Sequence, residues 1–92
     1  MAKTIHRSEY QLIRDMIRQA RESAGMTQIE LSKLLERSQT FVSNLEQSDR
    51  RIDVLELREV CGLLGQDFIA FLKDFESRVH KSPSKRKASG KR

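Results

Sequence analysis

Ninety-two residues are enough for one domain and leave no room for a catalytic cleft between two. The chain carries 18 basic against 13 acidic residues, a net charge of +5, but residues 81–92 hold Lys81, Lys85, Arg86, Lys87, Lys91 and Arg92 and no acid. The remainder is therefore close to neutral, and bulk charge does not by itself mark a surface for a polyanion. A single cysteine, Cys61, excludes an intrachain disulfide, and no apolar run approaches the roughly 20 residues needed to span a bilayer. No metal-ligand spacing, acid–base pair, nucleophile constellation or phosphate loop is present, so the chain is expected to be a cytoplasmic, non-enzymatic protein without cofactor or metal. One Pro and four Gly favour helices over a turn-rich sheet.

In chain order, residues 1–7 are polar and predicted to be flexible. Ser8-x-x-Gln11 reads as a capping box opening a first helix. Its apolar residues Leu12, Ile13, Met16, Ile17, Ala20 and Ala24 fall on one face, with Arg14, Arg18 and Arg21 off that stripe. Gly25 stops it. Thr27-x-x-Glu30 caps a short second helix with Leu31, Leu34 and Leu35 predicted to face inward. After a break at Glu36-Arg37, Ser38 is the N-cap of a third helix whose inward residues are Val42 and Leu45. A polar loop over 48–51 leads to Asp53-x-x-Glu56, the cap of a fourth helix with Val54, Leu55, Leu57, Val60, Cys61, Leu63 and Leu64. Gly65 ends it, and Asp67 opens a fifth helix bearing Phe68, Ile69, Phe71, Leu72, Phe75 and Val79. Residues 81–92 contain one aliphatic residue, Ala88, which cannot offset the entropy of ordering the segment, so a disordered basic tail is expected. The reading is a compact all-α domain of five helices over residues 8–80.

Residues 28–47, QIELSKLLERSQTFVSNLEQ, have the spacing of a helix-turn-helix. Leu31, Leu35, Val42 and Leu45 fill the wedge between two steeply crossed helices and the first helix, and Ser32 is small where a larger side chain would hold the pair apart. Together with Gly25-Met26-Thr27-Gln28, Ser38-Gln39, Val42-Ser43, Leu45-Glu46 and Leu64-Gly65, this stretch resembles the phage-repressor-like (Cro/CI, XRE-type) helix-turn-helix family from about Arg14 to Leu72. The chain departs from the family's usual Gly at Glu36 and at Ser48, and from its usual apolar residue at Arg37. A left-handed Glu36 would cost about 1 kcal/mol relative to Gly.

The resemblance implies a lambda-repressor-like domain whose third helix enters the major groove of double-stranded DNA. With Val42 and Leu45 turned inward, Gln39, Thr40, Phe41, Ser43 and Asn44 become the candidate base readers. Gln39 and Asn44 each have the paired donor and acceptor that adenine takes. Phe41 either presses on a thymine methyl or folds sideways onto the second helix. Gln28 matches a phosphate-clamping position at a helix N-terminus. Arg37, Arg50 and Arg51 flank the reading helix and are either phosphate contacts or solvated surface charges. The resemblance pairs Glu46 with Arg21, which would neutralise an acid that otherwise repels DNA. Phe68, Phe71, Leu72 and Phe75 are either core or a homodimer interface. A dimer would read an inverted-repeat operator as a transcriptional regulator, acting as a repressor or by touching RNA polymerase. The alternatives are an antitoxin that binds a toxin as well as DNA, and a protein-interaction module on the same scaffold.

Overall fold

A computed structural model describes residues 2–48 and 51–80. These form α1 (Ala2–Ser23), α2 (Gln28–Leu35), α3 (Gln39–Gln47), α4 (Val54–Leu63) and α5 (Phe68–His80), with no strand among the described residues. The basic tail over 81–92 and the phosphate candidate Arg50 lie outside the described residues. No helix of the described residues is long and apolar enough to cross a membrane.

The helix-turn-helix wedge is the centre of the core. Leu31 and Val42 are 0% exposed, Leu45 1%, Leu35 8% and Ser32 5%. Each large apolar side chain so removed from water contributes about 1.5–3 kcal/mol. Ser32 fits the crossing because it is small, and its hydroxyl donates to the Ile29 carbonyl at 2.7 Å, which leaves no orphaned polar group there. Ile17 of α1 and Val60 and Cys61 of α4 close the wedge from behind. Burial pushes the Cys61 thiol up to about 11, so it stays protonated and unreactive near neutral pH.

Several expectations are corrected. α1 begins at Ala2, not at Ser8, because residues 2–7 contain neither Pro nor Gly and nothing stops the helix from propagating backwards. Gln11 therefore sits mid-helix, donating to Asp15 at 3.0 Å and accepting from Arg14 at 3.1 Å. Arg14 is buried although it lies off the apolar stripe; a long aliphatic stem can line apolar surface while its head reaches a polar group. Leu34 is half exposed, since α2 has only eight residues and its inward stripe is used up by Leu31, Ser32 and Leu35. Ala24, Val54, Leu55 and Ile69 also face outward. Phe71, offered as an interface residue, is core at 5% exposure, while Phe68, Leu72 and Phe75 are half-buried against that core.

Three turns share one closure. The amides of Met26, Arg37 and Gln66 donate back five residues to the carbonyls of Arg21, Ser32 and Cys61, with a left-handed residue at Gly25, Glu36 and Gly65. Glu36 holds this conformation at φ 59° without glycine's freedom, so the turn keeps its shape and bears the strain. Glu36→Gly is expected to raise unfolding free energy by about 0.5–1 kcal/mol, the relieved strain less the added entropy of the unfolded chain. Urea denaturation checks this, and a loss of stability would contradict a strained turn.

Candidate nucleic-acid interface

Ser38 starts α3 by accepting the Phe41 amide on its hydroxyl at 3.1 Å. Helical geometry then buries Val42, Leu45 and Glu46, packs Phe41 partly against the core and leaves the opposite face of the helix to solvent. Gln39, Thr40 and Asn44 are exposed, and Ser43 and Phe41 are half-buried. The outward face thus carries amides and a hydroxyl, and α3 has no Lys or Arg.

Glu46 would be an unfavourable acid here if it were free. Its side chain is fully buried, and Arg21 reaches it from α1 with two parallel bonds, Nε to Oε2 at 2.6 Å and Nη2 to Oε1 at 3.1 Å. The remaining Arg21 Nη1 donates to the Met26 carbonyl at 2.8 Å. The hydrogen-bonded carboxylate raises Arg21 above the ordinary guanidinium range, against the opposing effect of desolvation. Gln28 Nε2 adds a donor to Glu46 Oε1 at 3.0 Å, and Gln28 Oε1 accepts from Gln39 Nε2 at 3.2 Å. One continuous polar chain therefore runs from α1 through the buried acid and the start of α2 to the first residue of α3.

That chain orients Gln39 without exhausting it. One N–H of its amide is engaged by Gln28, leaving the other N–H and the carbonyl for a paired contact. At the start of α2, Thr27 takes the amides of Glu30 and Leu31 on its hydroxyl and carbonyl, each at 3.0 Å. The amides of Gln28 and Ile29 have no acceptor among the described residues, and both residues line an open groove of about 490 Å³ together with Arg21, Glu22, Thr27 and Gln39. An anion is stabilised in such a place by the helix dipole and the free donors.

The structure brings Gln28, Gln39, Arg21 and Glu46 into one bonded network and sets Thr40 and Asn44 beside it on the open face of α3. Ser43 is turned along the helix, its hydroxyl donating to Gln47 at 3.3 Å. Phe41 is half-buried against the core, with the Arg37 guanidinium carbon 4.4 Å from its ring centroid. Arg51 is exposed in the loop ahead of α4. Sequence reasoning missed the Gln28–Glu46 and Gln28–Gln39 bonds and the role of the Met26 carbonyl. The polar residue types were visible, but the bonds depend on the crossing of α2 and α3. Gln47 was passed over too, although its spacing of four from Ser43 is a helical neighbour relation.

Removing Arg21 while keeping the acid is expected to be costly. Arg21→Met should lower stability by about 3–5 kcal/mol, because it strands a buried carboxylate. Glu46→Gln, which keeps an acceptor for the guanidinium, should cost less. Chemical denaturation of both variants tests the order, and equal small losses would remove the pair from any organising role.

The helix-turn-helix family model matches residues 17–71, which spans all of α2, α3 and α4 and reaches into α1 and α5. The solved structure of an XRE-family like protein from Pseudomonas syringae pv. tomato str. DC3000 superposes with a TM-score of 0.78 at 43% identity, over 84% of this chain and 94% of that one. No curated protein matches the chain. With the wedge, the capped third helix and the buried ion pair all in place, the chain belongs to the XRE-type helix-turn-helix family of DNA-binding regulators.

Proposed function

We propose that the chain is a non-enzymatic transcriptional regulator that binds double-stranded DNA as a homodimer and reads an inverted-repeat operator in the major groove. The observation that carries this reading is the outward face of α3: exposed Gln39, Thr40 and Asn44, on a helix held by a buried ion pair, with no cation or free acid among them. Gln39 and Asn44 match adenine, Thr40 matches a base edge or a thymine methyl, and Ser43 lies at the side of the same face. Gln28 with the free amides of α2, and the exposed Arg37 and Arg51, supply phosphate contacts on either side. Arg50 has the same proposed role from sequence alone.

Selection of bound duplexes from a random pool tests this directly, since it reports base preference and half-site symmetry together. Asn44→Ala is then expected to weaken the selected duplex by about 1–3 kcal/mol and random DNA much less. Equal losses on both would withdraw the base-reading assignment.

The dimer reading rests on α5. Phe68, Leu72 and Phe75 leave part of their apolar surface uncovered on one stripe, and Ile69 beside it is 56% exposed. Two copies joined there would place their reading helices for half-sites about 34–36 Å apart. Phe71 belongs to the core, so a polar residue there would report on folding and not on assembly. Ile69→Glu leaves the core intact and is expected to shift the protein to monomer at micromolar concentration. Sedimentation equilibrium measures this, and a persisting dimer would put the interface elsewhere.

A further inference from the structure

We propose that Phe41 is a positioning residue: it holds the Arg37 guanidinium at the entrance of α3 as a preformed clamp for a DNA backbone phosphate, and does not itself read a base. This rests on the DNA-binding reading above and assigns one part of it. The guanidinium carbon lies 4.4 Å from the Phe41 ring centroid. The ring is fixed from behind, half-buried against the core, and its backbone is fixed by the Ser38 cap at 3.1 Å. Arg37 is held at its own backbone by the bond from its amide to the Ser32 carbonyl at 3.0 Å. Its side chain is exposed, and among the described residues no carboxylate lies within ion-pair distance of it.

Three consequences follow from that geometry. Among the described residues none accepts a hydrogen bond from the Arg37 guanidinium, and its N–H donors match two phosphate oxygens. The contact with the ring also removes much of the rotamer freedom that a phosphate would otherwise have to quench on binding. And a ring covered by a guanidinium has lost the face it would lay against a thymine methyl. Arg37 stands just before the N-cap, where an apolar residue commonly packs on the first turn to fix the chain's entry angle. A side chain needed only for that packing would require no charge.

The test uses the full chain, the duplex selected from the random pool, and a scrambled duplex of equal length, titrated by fluorescence anisotropy across a salt series. Arg37→Gln is expected to weaken both duplexes by the same factor and to reduce the slope of log affinity against log salt by about 0.9, one phosphate contact. Phe41→Leu keeps an apolar residue on the core and is expected to weaken both about two- to fivefold, the worth of an exposed cation–π contact. In the Arg37→Gln background, Phe41→Leu should add nothing. An unchanged salt slope in Arg37→Gln, independent losses in the double variant, or a Phe41→Leu effect confined to one base pair would each overturn the proposal. So would a lowered melting temperature for Arg37→Gln with unaltered affinity, which would make the stack a structural staple only. Failure of the unsubstituted chain to select any duplex would remove the DNA-binding reading itself, a result distinct from binding with an indifferent Arg37.

Discussion

The bidentate bond between Arg21 and Glu46 is the constraint on which the placement of α3 depends. A fully buried carboxylate is tolerable only with a cation in contact, and Arg21 meets it with two donors while its third reaches the turn between α1 and α2. Such a pair adds little net stability over a well-packed apolar substitute, because taking both charges out of water costs about what their attraction returns. What it contributes is direction. Aliphatic contacts at Leu31, Val42 and Leu45 set the distance between helices but tolerate sliding, whereas a guanidinium fork satisfies its acceptors in one geometry only. Gln28 extends that geometry to Gln39, so the first outward residue of α3 inherits its orientation from a bond buried behind it.

The same pair settles the electrostatics of the face. α3 contains one ionisable residue, Glu46, and that residue is neutralised inside the protein. The outward surface is left with dipolar groups, and the exposed Arg37 and Arg51 lie in the segments that precede α3 and α4. Under the function proposed above, this separates two tasks that a basic helix would mix. Such cations attract any phosphate backbone, while amides discriminate among base edges. A domain that is near neutral apart from its tail is compatible with binding for this reason, since attraction needs only a few well-placed cations.

The fold was legible where it depends on periodicity and caps. Leu31, Leu35, Val42, Leu45 and the small Ser32 announced the wedge, and the boxes at Thr27–Glu30 and Asp53–Glu56 both form as written. The pairing of Arg21 with Glu46 came from the family resemblance, since 25 residues of separation leave no local signature. Failures had a common cause. The start of α1 was misplaced because a capping pattern, Ser8-x-x-Gln11, says where a helix can begin and not whether an earlier one runs through it. Leu34 was assigned inward with Leu31 and Leu35, yet on a helix of eight residues only a narrow stripe finds a partner. The bonds of Gln28 and the seat of Arg37 on Phe41 depend on how neighbouring helices and turns are set in space, which no single-helix pattern encodes.

The two departures from the family's usual turn are adjacent, and the geometry links them. Glu36 takes up the left-handed conformation in place of Gly, which preserves the closure from the Arg37 amide to the Ser32 carbonyl and so fixes where the Arg37 side chain leaves the backbone. Arg37 replaces an apolar residue, and Phe41 lies one helical turn ahead to receive it. Strain at one position thus sustains the direction of a cation at the next. A turn shaped for stability alone would carry neither residue, since Gly relieves the first and an aliphatic side chain satisfies the second. Local rules broken side by side stand at the entrance to the helix whose outward face is uncharged, which fits the binding edge proposed above.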